Sequence, residues 1–566
     1  MRSIYLKIIL SDFFIFLRTI LSLKLSQLIF RIYYLLKRSI YSLFKFRAIK
    51  TTNYNIIPRD NIINLEISNY KGDINLLLKY NFTFLNKSIK FKNTIEWNNK
   101  IINKGTRLWK LNLHYQEYLI DISNLYLQTK NKKLLSFIET TINSWVSENL
   151  YHSKENFKAS WNSYSVSLRL MTYIEVYCLL KNHITDKKKL INIILNHHYF
   201  LKNNIEYDLR GNHLFENFLA LTNSSIFLKL DNDFNMFSTK LKKEIKNQIL
   251  NDGAHYELSS MYHGIILKRL IKTNLFLNAN NLNIELEKFI FYYINLMMNW
   301  IIKIQISNNI PLLNDSTPEH TLNLHDLNQI YYKAFKEKFI LDSKFKLKES
   351  GYRKFVNSKY EALIDVGNIG PKEQTGHSHA DTFNTIISIN KTDLFIDPGI
   401  STYNKSFIRD NERSSSYHNT ITLDNFNSSE IWSSFRVGKK CKVNLLVDKE
   451  DYVEASHDGY SLQNVLVKRK WKFNTYSIII HDYVKNAHKI SSQTNWLISP
   501  NREYVLNNNT MLFKDCSISF FANKIEIIEE TIDIPRGFNR LIKTTRIVIR
   551  YDTKLKTIIT PNKNFI

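Results

Sequence analysis

A helical half followed by an antiparallel β-sandwich is the architecture this sequence predicts, and three observations predict it. Between about residues 111 and 305 apolar side chains return at three- and four-residue steps, the period of a helix with a buried face. From 352 onward, short runs rich in Ile, Val, Tyr and Thr alternate with turn formers, as strands do. Between the two, NNIPLLNDSTPEHTLN holds two prolines and a cluster of turn formers, which marks a boundary. At 566 residues the chain exceeds what a single core serves, and its 44% hydrophobic and 13% aromatic content is enough for more than one.

The elements follow in order. The N-terminus, MRSIYLKIILSDFFIFLRTILSLKLSQLIFRIYYLLKRSIYSLFKFR, is apolar but interrupted. Lys7, Asp12, Arg18, Lys24 and Arg31 leave no apolar run of the roughly 18 to 20 residues that a membrane span needs. Asp12 also spoils a signal-peptide core, and no alanine precedes Ala48 to make a cleavage site. Lys24, Arg31, Arg38 and Lys45 share one heptad position, so a helix gathers them into a basic stripe. Residues 1–50 therefore suit a helix lying on an anionic membrane surface, or equally a helical pair packed on the main domain. The first arrangement implies a peripheral protein on the cytoplasmic face of the inner membrane; a degenerate secretion signal would place it in the periplasm instead.

Residues 51–110 are a mixed lead-in, with FTFLNKSIKFKNTIEWN reading as short strands and turns. Over 111–315 eight segments, from HYQEYLIDISNLYLQTK to IELEKFIFYYINLMMNWIIKI, read as helices with short connections, which suits antiparallel pairs. Residues 316–350 read as a linker. In 351–566 the runs YEALIDVG, TIISI, LFIDPG, TITLD, KVNLLVD, NVLVKRKWKF, YSIIIHDYV and TTRIVIRYD supply the strands of a sandwich.

Charge narrows the partners. Lys and Arg total 78 against 51 Asp and Glu, a formal +27, which favours a polyanion: nucleic acid, anionic lipid or an acidic polysaccharide. A coding bias toward Lys, Asn and Ile produces the same excess without selecting any partner. No zinc-finger spacing, basic zipper or RNA-recognition signature is present, so nucleic acid is not expected. Cys178, Cys441 and Cys516 are odd in number and far apart, which argues against a disulfide framework and fits a reducing compartment.

The chemistry concentrates in 365–424. Of 13 glycines, Gly367, Gly370, Gly376 and Gly399 fall there, marking sharp turns or close approaches. His377 and His379 stand two apart on an extended segment and so point the same way. Asp381 follows, Asp397 closes the next strand and His418 opens another. GHSHADTFNTIISINKTDLFIDPG with YHNTITLD resembles the C-terminal core of heparinase II/III-like polysaccharide lyases, a family with heparan-sulfate and alginate lyase-like members. GNHLFEN (211–217) and DGAHYELSSMYH (252–263) resemble its helical half, in the expected order, and the likeness spans roughly residues 80 to 480.

That resemblance implies an (α/α) toroid for the helical half, where periodicity alone allows other helical folds. It implies a lyase that cleaves a uronate-containing acidic glycan by β-elimination, in which the uronate carboxylate is neutralised, the C5 proton removed and the leaving oxygen protonated. By motif position Asn212 is the carboxylate neutraliser with His213 beside it, Tyr262 the catalytic tyrosine with Tyr256 as its competitor, and His377 the second acid or base. Trp161, Tyr164 and Arg169, with Tyr256, are the implied glycan-binding residues, although Trp161 and Tyr164 stand at helical spacing and suit a core as well. His379, Asp397 and His418 are the implied ligands of a structural zinc ion (Zn2+), against which stands a hydrogen-bonded cluster without metal. Glu216 and Glu257 keep open a toroid glycosidase, and the N-terminus keeps open a non-lytic partner in surface-polysaccharide assembly.

Overall fold

In a chain whose helices carry two kinds of surface, the wholly apolar ones must be covered on every side and the amphipathic ones on one side only. The computed structural model describes residues 13–44, 56–68, 70–97, 104–150, 152–485 and 491–562. Lys7, Asp12 and Lys45 of the N-terminal reading lie outside them. The chain opens with α1 (Phe13–Leu21) and α2 (Leu25–Leu43), then a single turn α3 (Ile74–Leu77) and a hairpin of β1 (Asn81–Phe84) and β2 (Lys87–Lys90). Next come α4 (Arg107–Tyr115), α5 (Tyr118–Thr129), α6 (Lys132–Glu148), the short α7 (Lys154–Lys158), α8 (Ser163–Leu180) and α9 (Lys187–Lys202). The helical half continues with α10 (Gly211–Leu228), α11 (Asp231–Gln248), α12 (Ser260–Ala279), α13 (Ile284–Lys303) and α14 (Leu324–Phe335).

Helices α8, α10 and α12 are buried almost throughout; in α10 every residue but His213 is covered. They neighbour one another, with α5 and α14 at the ends of the row, while α6, α9, α11 and α13 each pack outside a partner with one face in solvent. An inner and an outer layer of antiparallel helices make this half an (α/α) toroid. The lead-in hairpin belongs to it, since Phe82, Phe91 and Trp97 join its core.

The linker expected at 316–350 is a folded part of the toroid. Leu327, Ile330, Tyr331 and Ala334 of α14 are buried in the helical core, and the Asn323 side chain caps the helix by accepting from Asp326 N. Asp315, Ser316 and Thr317 have no exposed surface at all. The turn formers read as a break serve here as a cap and a buried bend.

From Tyr352 the chain is β-rich. Strands β3 (Tyr352–Val356), β4 (Tyr360–Asp365), β5 (Thr385–Ile389) and β6 (Thr392–Phe395) form a meander, after which α15 (Phe407–Glu412) and β7 (Ile421–Leu423) follow. A two-residue ladder, β8 (Ile431–Trp432) with β9 (Arg436–Val437), leads to β10 (Val443–Asp448), β11 (Tyr452–His457), β12 (Leu466–Asn474), β13 (Ser477–Lys485) and β14 (Ser492–Leu497). Strands β15 (Tyr504–Asn507), β16 (Thr510–Phe513), β17 (Cys516–Phe521), β18 (Ile525–Gly537), β19 (Arg540–Tyr551) and β20 (Lys554–Pro561) complete the chain. One antiparallel layer runs β10-β11-β12-β13-β20-β17-β16-β15. The opposing layer joins β18-β19-β14-β7 to the β3–β6 meander through a bridge between Phe395 and Ile498. Alternating apolar residues of β12 and β13 (Val467, Trp471, Phe473, Ile478, Ile480) fill the space between, as the strand period requires.

Candidate active site

The site forms where the bend after α13, the loop between β4 and β5, and the starts of α10 and α12 converge. At the start of α10 the chain turns through Gly211, at φ +57°. A Cβ there would lie 2.4 Å from Glu257 Oε1, so only glycine lets the two segments close. The backbone N–H of Asn212 then donates to that same Oε1 at 3.1 Å, and Asn212 Oδ1 has no hydrogen bond within the described chain. His213, the one half-exposed residue of α10, stacks on Tyr164 with ring centroids 4.5 Å apart, and its Nδ1 faces Glu206 Oε1 at 3.2 Å. Burial opposes a charge on His213, but Glu206, Glu257 and Asp208 outweigh it and raise the imidazole above its ordinary pKa.

Tyr262 sits in the first turn of α12, which Ser259 caps by accepting from its backbone N–H. Its hydroxyl is 3.1 Å from that of Tyr403, and its ring centroid lies 4.0 Å from that of His377. Burial, then Tyr403, Asp315 and Glu257, hold the Tyr262 phenol well above its usual pKa, so it rests protonated.

His377 is placed by a carboxylate at the last position of the stretch, 111–315, that sequence reading assigned to the helical half. Asp315 Oδ2 is 2.8 Å from His377 Nδ1, and Oδ1 is 2.9 Å from His379 Nε2. Arg409 of α15 grips both oxygens, at 2.6 and 2.8 Å. Burial alone would raise this carboxyl, but Arg409 and the two histidines hold it far below the ordinary range. An ionised carboxylate only accepts, so His377 Nδ1 must carry a proton, and neutral His377 keeps its lone pair on Nε2. Gly399, at φ +68° and with Ser316 O only 2.4 Å from its would-be Cβ, lets the sandwich close on the bend that bears Asp315.

Behind His377 the hydrogen bonding continues. His379 Nδ1 faces His418 Nε2 at 3.3 Å, and His418 Nδ1 faces Asp397 Oδ2 at 3.4 Å. Asp397 is further held by Asn384 Nδ2 and Gly399 N. The three residues expected to ligate zinc are thus neighbours but do not converge: His379 and Asp397 address opposite ring nitrogens of His418. One metal ion cannot take all three in this arrangement, and among the described residues no group of three His, Cys, Asp or Glu side chains is set to hold one. The donors form a proton-sharing chain instead, with burial lowering His379 to about 4 and Asp397, against burial, raising His418.

The expected glycan-binding residues divide. Tyr164 lies at the site beside His213. Tyr256 instead lines a cavity of about 420 Å³ with Lys24, Arg210 and Glu373, while Tyr262 is the tyrosine whose ring lies against that of His377. Trp161 and Arg169 are core residues. Trp161 is 1% exposed and donates its indole N–H to Asn149 O. Arg169 has no exposed surface and donates to His197 Nε2, His114 O and Ser160 O, its guanidinium 3.8 Å from the Trp145 ring centre. At helical spacing an aromatic and an arginine face inward as readily as into a cleft, and here they face inward. Glu216 is bound to Arg269 and Glu257 to the Asn212 backbone, each through Oε1, and both side chains are buried. A second cavity of about 420 Å³ is lined by Tyr115, Asn112, His320 and Arg540 among others.

Two family models match the chain: Heparinase II/III N-terminus over residues 32–342, and Heparinase II/III-like, C-terminal over 341–561. No curated protein sequence matches. Among solved structures, a heparinase III shares 16% identity, with 93% of this chain and 88% of that one covered and a TM-score of 0.71. A mutant of the heparan sulfate lyase HepC from Pedobacter heparinus shares 17%, covering 88% and 86%, with a TM-score of 0.60. The chondroitin AC lyase of Streptomyces coelicolor A3, in complex with chondroitin sulphate, shares 9%, covering 80% and 74%, with a TM-score of 0.53.

Proposed function

Because the chain belongs to the heparinase II/III-like family, we propose that it is a polysaccharide lyase cleaving a uronate-containing acidic glycan by β-elimination, with His377 as base and Tyr262 as acid. One observation carries the assignment of roles: the Asp315 carboxylate fixes the His377 tautomer while a protonated Tyr262 lies against the same imidazole. His377 Nε2 takes the C5 proton, the electron pair forms the C4–C5 double bond, and the bond from C4 to its oxygen breaks. That oxygen takes the Tyr262 proton, and transfer from His377 to the phenolate restores both groups. Asn212 and His213 face the uronate carboxylate, and the raised pKa of His213 favours a cation opposite that anion. The similar structures include a heparan sulfate lyase and a chondroitin AC lyase, both named for acidic glycosaminoglycans; here a bacterial surface glycan or alginate is an equal candidate, and both belong in the assay.

The test is incubation with heparan sulfate, chondroitin sulfate, alginate and acidic bacterial capsules. A lyase yields an unsaturated uronate that absorbs in the ultraviolet. Tyr262→Phe and His377→Ala lower that rate by about a thousandfold or more, the scale on which a lost acid or base acts. New reducing ends without the chromophore would assign the protein to hydrolysis instead.

A further inference from the structure

The two N-terminal helices have an outer face that the lyase chemistry does not use. Helices α1 and α2 meet at 106°, and no single helix among the described residues is long and apolar enough to cross a membrane. Their inner side is fastened to both halves of the molecule. On the sandwich, Arg18 pairs with Glu430, and Trp432 Nε1 donates to Thr19 Oγ1 at 2.9 Å. On the toroid, Tyr34 donates to Ile205 O and Gln27 Nε2 to Asp208 O at 3.4 Å, and Lys24 pairs with Glu373 of the β4–β5 loop. The outer side is apolar: Leu21, Leu25, Ile32, Leu35, Leu36 and Leu43 are each between 61% and 78% exposed. So much contiguous apolar surface marks a contact face.

The basic stripe is turned differently from the sequence expectation. Lys24, Arg31 and Arg38 lie along the seam between the helices and the body rather than on the outermost surface, with Lys37 donating to Asn203 O and Arg38 lying over the Tyr34 and Phe157 rings. Arg31 lies near enough to Arg436 for its like charge, after burial, to lower that guanidinium. Cations that border an apolar face sit where phosphate headgroups lie when such a face enters the acyl boundary.

We infer that α1 and α2 dock the protein on an anionic lipid bilayer, their outer leucines and isoleucines inserted and the seam of Lys and Arg against the headgroups. A second copy of the chain is the poorer occupant, because self-association would set one +27 molecule against another. An anionic bilayer complements that charge, at about 1 kcal/mol per Lys or Arg near the surface. Since the α1–α2 pair touches the 205–208 loop, which leads into Asn212, and Glu373 of the β4–β5 loop, which bears His377, docking sets both segments next to the bilayer and a membrane-attached glycan within their reach.

Flotation of the full chain with vesicles tests this. Binding to an equal mixture of phosphatidylglycerol and phosphatidylcholine is expected to exceed binding to phosphatidylcholine alone by about tenfold or more and to weaken with salt. The double variant Leu25→Glu, Leu36→Glu is expected to lose flotation while melting as the parent does and cleaving soluble glycan at the parent rate. Absence of flotation overturns the proposal, as does flotation unchanged in the double variant. A concentration-dependent dimer that the same variant abolishes also overturns it, assigning the face to a second copy.

Discussion

The Asp315 carboxylate decides what His377 can do, and the charge rather than the shape is what matters. Asp315→Asn preserves volume but can donate to His377 Nδ1, which moves the lone pair from Nε2 to the wrong nitrogen. We expect kcat to fall by about a hundred- to ten-thousandfold with KM little changed, since substrate contacts are untouched. The same variant leaves Arg409 buried without its counter-ion, at a cost of roughly 3–5 kcal/mol in denaturant titration. Arg169 behaves oppositely. As a core residue its replacement by Ala lowers Tm, by about 3 kcal/mol of stability, and leaves the KM of the folded enzyme alone; a raised KM with unchanged Tm would return it to the cleft. Glu412 gives a pH signature. Burial, only partly offset by hydrogen bonds from Ser401, raises its carboxyl from 4.5 to about 7. Because the folded value exceeds the unfolded one, stability is full below about pH 4.5 and is lost as pH rises through 7. Glu412→Gln mimics the protonated form, so it should match the parent at pH 4 and exceed it by on the order of 3 kcal/mol at pH 8, read by chemical denaturation.

Elements were legible in proportion to how strongly their own residues pattern. The eight helical segments read from apolar spacing correspond to helices α5, α6 and α8–α13, with boundaries within a few residues except in α11, which starts at Asp231, eight residues before the segment TKLKKEIKNQIL. The strand runs hold equally well, because Val467, Trp471 and their neighbours alternate cleanly. The bend at 314–317 was not legible. Its sequence is polar and turn-forming, and its burial depends on α15 and the β4–β5 loop arriving from elsewhere, which no local pattern records. The start of α10 shows how much one element's end can carry. Gly211→Ala would force a Cβ into Glu257 Oε1 at a left-handed φ, costing roughly 1–2 kcal/mol in backbone alone. It should also displace Asn212, so activity is expected to fall more than the Tm predicts; an Ala variant with parent kcat/KM would show that the turn does not position Asn212.

At the scale of the whole molecule, fold and family were readable because motifs in both halves stood in order. What joins the halves was not. Whether Lys24, Arg31 and Arg38 face water or protein depends on what the opposite side of α2 packs against, and a stripe alone does not say. The zinc expectation meets the same limit: residue types specify possible ligands, but only geometry shows that Asp397 and His379 address opposite nitrogens of one imidazole in this structure. Deleting residues 1–44 removes ties to both halves, and we expect the truncated protein to unfold at a lower temperature in calorimetry while leaving the Asp315 network intact. That network has a consequence for how the protein comes into being. Asp315 is made with the toroid, His377 follows 62 positions later and Arg409 follows 94 positions later. A ribosome therefore completes the glycan-facing helices well before any base exists to act on a substrate. The network can be completed only once the sandwich closes on the bend, and a chain that stops before residue 409 lacks the arginine that grips both oxygens of Asp315.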